Sequence, residues 1–239
     1  MRRLWLLAAL LALSGCGRYF VGPLRPLDQQ TPEMSVNDDG SVTYTRDRLI
    51  ITLQPMSDAQ LNRQFASVSQ QGARSTNPYT FGDWHPNGDA WTPPRFAVFL
   101  VTVNNYQYPK VLLDALQATA TTANNRKYRA MGYGQLDEYY QAYWQGRTGQ
   151  GRTEYEARTD LLKRTLFGRQ LVFSGQEKQG YLVFPVLHDD VRQVQVHLGD
   201  IVLRFDYADQ PVEQLDLTYS FERDVFRGKQ PPPELVEKH

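Results

Sequence analysis

Apolar residues recur along this chain at a spacing of two in some segments and of three and four in others. After Arg169 the spacing is two, which is typical of strands with one buried and one exposed face. The alternating sets are Leu171 and Phe173; Val194, Val196 and Leu198; Ile201, Leu203, Phe205 and Tyr207; and Leu215, Leu217, Tyr219 and Phe221. Leu49 to Leu53 and Phe96 to Val103 are apolar at nearly every position, as in strands buried on both faces. The pattern predicts a chain made mainly of strands.

Two segments carry the helical spacing instead. Ser57 to Gln60 has the pattern of a capping box, and the apolar residues after it lie at spacings of four and three as far as Val68, which predicts one short helix. The second segment, about 135–167, has apolar residues at helical spacing on both sides of a polar break. Thr153 to Glu156 has the pattern of a second capping box. We expect a helical hairpin inserted between strands, a satellite whose removal would leave the β-rich domain folded.

The first sixteen residues have the layout of a bacterial export signal. A basic start, Met1 to Arg3, precedes an apolar run from Leu4 to Leu13, about half of the roughly 20 residues that a transmembrane helix needs. The next residues, Leu13-Ser14-Gly15-Cys16, resemble the lipobox of bacterial lipoproteins. The resemblance implies that residues 1–15 are a signal peptide, that diacylglycerol is attached to the Cys16 thiol, and that the new amine is acylated, with palmitate or a similar chain.

The cysteine count favours lipidation over an ordinary signal peptide that happens to contain a cysteine. Cys16 is the only cysteine, so an exported chain would have no second thiol for a disulfide. In Gram-negative lipoproteins of this kind an Asp after the cysteine favours the inner membrane, whereas Gly17 stands there in this chain. By this resemblance we expect a cell-envelope protein, anchored in the bacterial outer membrane and facing the periplasm.

One later segment resembles a known fold. Gly175 to Pro185, which follows an earlier strand ending at Val103-Asn104, resembles immunoglobulin-like domains of bacterial lipoproteins and other exported proteins. The resemblance implies a mainly β fold, an antiparallel immunoglobulin-like sandwich, and no activity. The disulfide that joins the two sheets of antibody domains is impossible with one cysteine. We expect this sandwich to carry the helical hairpin insert and one short extra helix.

The domain organisation follows from composition. Residues 16–40 contain three prolines among polar residues and no sustained period, so they predict a lipidated tether. The sandwich domain with its insert is expected to span 41–227. The Pro-rich segment 228–239 is expected to be a disordered tail outside the fold.

The loop from Asp83 to Trp91 gathers carboxylates, an imidazole and two indoles. Asp83, His85, Asn87 and Gly88 match four positions of a calcium loop, but Pro94 stands where the bidentate Glu should be, and His is a poor ligand for a hard cation. We therefore predict no metal and no cofactor, and interpret the loop as a turn-rich end of the sandwich.

Two other histidine segments are interpreted in the same way. His188-Asp189-Asp190 lies where a polar turn is needed between two strands, and His197 falls on the polar face of its strand. No nucleophile elbow, P-loop, zinc spacing or dinucleotide fingerprint is present in the sequence. We predict a protein that is not an enzyme.

The aromatic residues of the insert are the remaining candidates for binding. Aromatic rings beside arginines suit a sugar ring or a protein partner. An alternative stays open, namely that the rings pack the insert onto the sheet. The candidate binding residues, including two indoles of the Asp83 loop, are Tyr139, Tyr140, Tyr143, Trp144, Arg147, Trp84 and Trp91.

Two classes of function follow. The first is a lipid-anchored, non-catalytic binding or assembly module whose partner is an envelope protein or a glycan, besides the membrane reached through Cys16. The second is an envelope enzyme that acts on a glycan or uses a metal, and it requires Asp83, His85 and Asp89, or His188 and Asp190, to converge on one pocket. Acidic and basic residues number 26 each, so nothing in the charge predicts nucleic-acid binding.

Overall fold

The structure is a computed structural model that describes residues 17–85, 89–144 and 150–236, with the backbone alone for Tyr143 and Gln150. The predicted lipidation residue Cys16 and the candidate binding residue Arg147 lie outside the described residues. Its strands are β1 (Arg18–Val21), β2 (Arg25–Pro26), β3 (Met34–Val36), β4 (Val42–Arg46), β5 (Leu49–Met56), β6 (Phe96–Asn105), β7 (Lys110–Asp114), β8 (Thr119–Thr122), β9 (Lys127–Arg129), β10 (Arg169–Phe173), β11 (Gln176–Pro185), β12 (Gln193–Phe205), β13 (Pro211–Glu222) and β14 (Val225–Gly228).

The described strands form a sandwich of two antiparallel sheets. One sheet has the order β11-β6-β5-β4-β3, and the other has the order β10-β7-β12-β13-β2, with β8 added beside β12 and β9 beside β8. A small third sheet pairs β1 with β14. The predicted mainly β, antiparallel sandwich is therefore confirmed.

The main core lies between the two large sheets. Leu53 of β5 pairs with Val101 of β6 on one side, and Phe221 of β13 meets Phe99 of β6 with ring centroids 5.1 Å apart. The Tyr219 hydroxyl donates a hydrogen bond of 3.0 Å to the Ile51 carbonyl and so joins the two sheets. Burial of these apolar side chains is the main stabilising contribution.

The helices number five among the described residues: α1 (Asp58–Gln64), α2 (Ala66–Ser69), α3 (Tyr133–Trp144), α4 (Gln150–Thr165) and α5 (Pro233–Val236). The capping box at Ser57 is confirmed, because its hydroxyl accepts from the Gln60 amide while the Gln60 side chain accepts from the Ser57 amide. The helix expected through Val68 breaks at Phe65, where ψ is 41°. Thr153 is not a helix start, since α4 already begins at Gln150.

The predicted helical hairpin is confirmed as α3 and α4, but it is not a satellite of the sandwich. It covers the outer face of the β11-β6 sheet. A second buried cluster joins residues of the hairpin, α1, the loop before β6 and both strands: Leu61, Tyr79, Phe96, Val98, Leu136, Tyr140, Leu162, Tyr181 and Val183. This cover explains why β6 is apolar at nearly every position, because its alternate side chains enter two different cores.

Residues 17–40 are not the tether that the composition predicted. Arg18 to Val21 pairs with β14, Arg25-Pro26 pairs with β13, and Met34 to Val36 pairs with β4. Phe20 and Val21 are buried. The prolines did not exclude strands here, because these strands are short and lie at sheet edges, where a missing amide is tolerated.

The segment 228–239 is not wholly outside the fold either. Gly228 still pairs with Arg18, and α5 places Leu235 against Phe20, Val21 and Trp91 in a third buried cluster. Residues 237–239 lie outside the described part of the chain. One apolar side chain in a Pro-rich, charged segment is too weak a pattern to reveal this contact.

Candidate functional site

A cleft of about 930 Å³ opens between the N-terminal segment and α1–α2, and we call it the N-terminal cleft. One wall comes from Val21 to Pro26, which follow β1 directly. The opposite wall comes from α1 and α2, and Trp91 and Leu187 contribute further apolar surface. Most of a ligand pocket is usually apolar with a few polar groups that orient the ligand, and this cleft has that composition.

The capping box determines where Asp58 points. Ser57 ends the extended β5 segment with φ −76° and ψ 156°, so Asp58 becomes the first residue of α1. The Gln60 side chain is held by the Ser57 amide at 2.8 Å, which leaves the Asp58 side chain to line the cleft. Asp58 makes no hydrogen bond or ion pair with the described residues. It is the one carboxyl group in the cleft whose pKa is strongly changed.

Burial raises the pKa of Asp58 to about 7, and the positive charge of Arg95 opposes this shift without cancelling it. Arg95 also has contacts of its own: its Nη1 donates to the Tyr140 hydroxyl at 2.9 Å, and its guanidinium lies 4.1 Å from the Phe81 ring centroid. Asp58 is half-buried by surface area because it borders the cleft, yet protein surrounds it on most sides. A carboxyl group in this position donates a hydrogen bond when protonated and binds a cation when ionised.

Three arginines also line the cleft, and they differ in burial and in their polar contacts. Arg223 is buried and donates to the carbonyls of Val191 and His188 at 2.8 and 2.6 Å, and its burial lowers the pKa of the guanidinium. Arg25 is paired with Asp224 at 2.7 Å. Arg63, in the last turn of α1, is exposed and has no ion pair with the described residues, so it is available to an anionic group.

Trp91 is the candidate binding residue that does line the cleft. Its indole is buried and packs edge-on against Phe20 with centroids 5.2 Å apart. Trp84 is half-buried and lies beside Phe81, with centroids 6.1 Å apart, but it does not line the cleft. The two indoles of the loop are thus separated.

The loop residues proposed for the alternative metal site are not brought together. Asp83 accepts from the Gly72 amide at 2.7 Å, His85 Nδ1 lies 2.9 Å from Thr92 Oγ1, and Asp89 pairs with Arg18 at 3.7 Å. Only Asp83 of these three lines the cleft. In residues 17–85, 89–144 and 150–236, no group of three or more His, Cys, Asp and Glu residues could hold a metal ion.

His188 and Asp190 do not converge on the cleft. His188 Nδ1 lies 2.7 Å from the Tyr128 hydroxyl, and Asp190 pairs with Arg126, whose hydrogen bond and charge lower the pKa of that carboxyl. His197 is half-buried, with Nδ1 3.2 Å from Thr218 Oγ1 on the neighbouring strand. These contacts suit a turn and a strand surface, as the sequence predicted.

The aromatic residues of the insert do not form one surface. Tyr139 is 37% exposed, whereas Tyr140 is 1% exposed and donates from its hydroxyl to the Pro78 carbonyl at 2.6 Å. Trp144 is half-buried and stacks on Tyr155 with centroids 5.9 Å apart. Tyr140 is therefore a core residue, which is the alternative that the sequence left open. For Tyr143 only the backbone is described.

Sequence reasoning missed Asp58 and the whole N-terminal wall of the cleft. The capping box placed Asp58 at the start of a helix, but a capping box occurs in many helices that bind nothing. The site exists only because β1 and β14 pair across almost the full length of the chain.

The similarity of this chain to known proteins is slight. No protein-family model matches this chain, and no curated protein matches it by sequence. A solved structure, that of the yjhA protein from Bacillus subtilis, is similar at a TM-score of 0.34 and 8% identity, over 74% of this chain and 93% of that chain. In the described part of the chain, no helix combines the length and the hydropathy needed to cross a bilayer.

Replacement of Asp58 by Asn should make stability less dependent on pH. The folded-state pKa is raised to about 7, so the ionised carboxyl opposes folding, and wild type loses stability as pH rises from about 4 through 7. At pH 8 we expect the free energy of unfolding of Asp58→Asn to exceed that of wild type by on the order of 2 kcal/mol. This figure is smaller than the full pKa shift implies, because solvent in the cleft screens the charge. At pH 4 the difference should nearly vanish.

Urea unfolding followed at pH 4, 6 and 8 measures this effect. Glu177→Gln, at an exposed position of β11, is the matched control and should leave the pH dependence of wild type intact. If Asp58→Asn and wild type differ by the same amount at all three pH values, Asp58 does not titrate as its surroundings indicate.

Proposed function

We propose that this chain is a lipid-anchored protein of a bacterial cell envelope and that its domain is a non-catalytic binding module. The anchor is the lipid on Cys16, and the ligand site is the N-terminal cleft. The observation that supports a binding module best is an apolar cleft that contains Asp58, a carboxyl group that makes no hydrogen bond with the described residues. The outer membrane, with the domain in the periplasm, is the proposed location.

The lipobox and the fold support each other in this proposal. Cys16 precedes β1 by two positions, so a lipid on its thiol would hold the folded domain close to the bilayer surface. Stable anchoring takes more than one acyl chain, and the two or three chains implied by the lipobox would be sufficient. An envelope protein or a glycan remains the proposed partner of the exposed surface outside the cleft.

The envelope enzyme remains the second proposal, but no observation favours it. Glycoside hydrolysis, for example, uses a pair of carboxyl groups that flank one bond. In the cleft, Asp39 accepts from the Ser41 amide and hydroxyl at 2.9 and 2.6 Å, and Asp83 is held by Gly72. Neither contributes to the raised pKa of Asp58.

We further infer that the sandwich belongs to the immunoglobulin-like type. The strand pair of Gly175 to Pro185 with the earlier strand ending at Asn105 supports this inference, since both lie in the five-stranded sheet. The fold type implies no activity by itself.

Replacement of Cys16 by Ser tests the anchor. In a Gram-negative host, wild type should fractionate with detergent-extracted membranes and incorporate a labelled palmitate analogue. Cys16→Ser should lose the label and move to the periplasmic fraction or remain unprocessed, because the thiol is the attachment atom. Fractionation with in-gel detection of the label measures both effects.

The matched control is Ser14→Ala, which keeps a small residue before the cysteine and should be lipidated like wild type. A Cys16→Ser chain that is cleaved after the signal and still floats with membranes would contradict the proposed anchor.

A further inference from the structure

We propose that the N-terminal cleft binds a single-chain phospholipid with a headgroup amine, drawn from the membrane that holds the chain, with its acyl tail along the apolar walls and its ammonium at Asp58. This inference rests on the proposed lipid anchor. It adds the chemical class and the source of the ligand.

The shape and the lining of the cleft suit an acyl tail. Val21 and Leu24 line the cleft on its N-terminal side, and Met56, Ala59 and Ala66 contribute further apolar lining. Because Ala59 and Ala66 are small, the apolar side of the cleft leaves a channel in which a flexible chain of methylenes can lie. Each methylene buried in such a channel strengthens binding, and no directional contact is needed.

The position of the cleft explains how a membrane lipid would reach it. Val21 follows Cys16 by five residues, so these two positions are separated by at most about 18 Å of extended chain. Because β1 is paired along its whole length with β14, the cleft wall cannot move away from the anchor as it could on a flexible tether.

The polar groups of the cleft complement an amine-containing headgroup. Asp58 makes no hydrogen bond with the described residues, so an ammonium group would supply a charge-assisted hydrogen bond to its carboxylate. Arg63 lies on the same helix, lines the same cleft and has no ion pair with the described residues, so it can contact the phosphate. A headgroup that carries only negative charge would leave Asp58 unmatched.

The test uses the lipidated full chain in phosphatidylcholine vesicles that contain lysophosphatidylethanolamine with a diazirine in its acyl chain. After illumination, tryptic peptides are mapped by mass spectrometry. We expect label on the peptides 49–63 and 64–74, which carry α1 and α2. Ala59→Phe and Ala66→Phe should each reduce this label at least fivefold, because their rings occupy the channel. Ala142→Phe, at an exposed position of α3, is the matched control and should label like wild type.

A second arm tests the headgroup. At pH 8, the same probe with a phosphoglycerol headgroup should label these peptides about tenfold less than the ethanolamine probe, and Asp58→Asn should abolish the difference. Thermal unfolding confirms that each variant is folded. Any of three results would overturn the inference. These are label confined to other peptides, label undiminished in both folded Phe variants, and equal labelling by the probes with the two headgroups.

Vesicle flotation distinguishes failure of the lipid ligand from failure of the proposed lipid anchor. A chain that does not float lacks the anchor, and both proposals then fail. A chain that floats, incorporates palmitate and remains unlabelled in the cleft overturns the lipid ligand alone.

Discussion

Replacement of residues 135–167 by a short Gly/Ser connection should abolish cooperative folding. If the insert were a satellite, its loss would change mainly the entropic cost of loop closure, which is about 0.6 kcal/mol per doubling of loop length. Instead Leu136, Tyr140 and Leu162 are at most 1% exposed and fill a core above β6 and β11. The deletion would expose Tyr181 and Val183 on that sheet. We expect loss of the sharp thermal transition seen by circular dichroism.

A single substitution examines the same core without a deletion. Tyr140→Ala should lower the free energy of unfolding by about 3–5 kcal/mol, because it removes a large buried ring and leaves Arg95 without its hydroxyl acceptor. Tyr139→Ala is the matched control, because the Tyr139 side chain is one residue earlier and 37% exposed. This substitution should lower the free energy of unfolding much less. A deleted chain that still unfolds cooperatively, together with a mild Tyr140→Ala, would restore the satellite interpretation.

Phe20→Ala should destabilise the folded chain by about 3 kcal/mol and release the N-terminal wall of the cleft. Phe20 is 2% exposed and contacts Trp91, while Leu235 closes the same cluster. If residues 16–40 were a flexible tether, this substitution would leave the free energy of unfolding unchanged. Urea unfolding measures the stability, and Trp91 fluorescence in a Trp84→Phe, Trp144→Phe background reports the local change, because its indole packs directly on the Phe20 ring.

Tyr19→Ala is the matched control for this substitution. Tyr19 points to the other face of β1 and is 37% exposed, so its replacement should change stability by less than about 1 kcal/mol. Equal effects of the two substitutions would show that β1 is held by its backbone pairing with β14 and that the third cluster contributes little.

The insert and the Phe20 cluster both support the proposed binding cleft. The insert supports α1, since Leu61 belongs to the same cluster as Tyr140, and α1 carries Asp58. The Phe20 cluster supports the opposite wall. The cleft is therefore held between two cores, and damage to either should weaken labelling by a lipid probe as well as stability.

The pattern of spacing in the sequence predicted most of the long strands, the start of α1 and the helical hairpin, because such a pattern depends on local geometry. Alternation after Arg169 indicated β10 to β13, the continuous apolar run at Phe96 indicated a strand buried on both faces, and the capping box at Ser57 indicated the start of α1. The lipobox resemblance likewise uses adjacent residues only. Each of these signals lies within a window of a few residues.

Other features depend on which distant segments meet, and only the tertiary structure decided them. Residues 18–21 have a weak pattern, yet they form β1 because their partner, β14, stands about two hundred positions away. Tyr139 and Tyr140 look alike in the sequence, and packing against Pro78 and Arg95 makes only the second a core residue. Asp58 acquires its raised pKa in the same way: the sequence placed the carboxyl on a helix, whereas burial by remote segments removed most of its water.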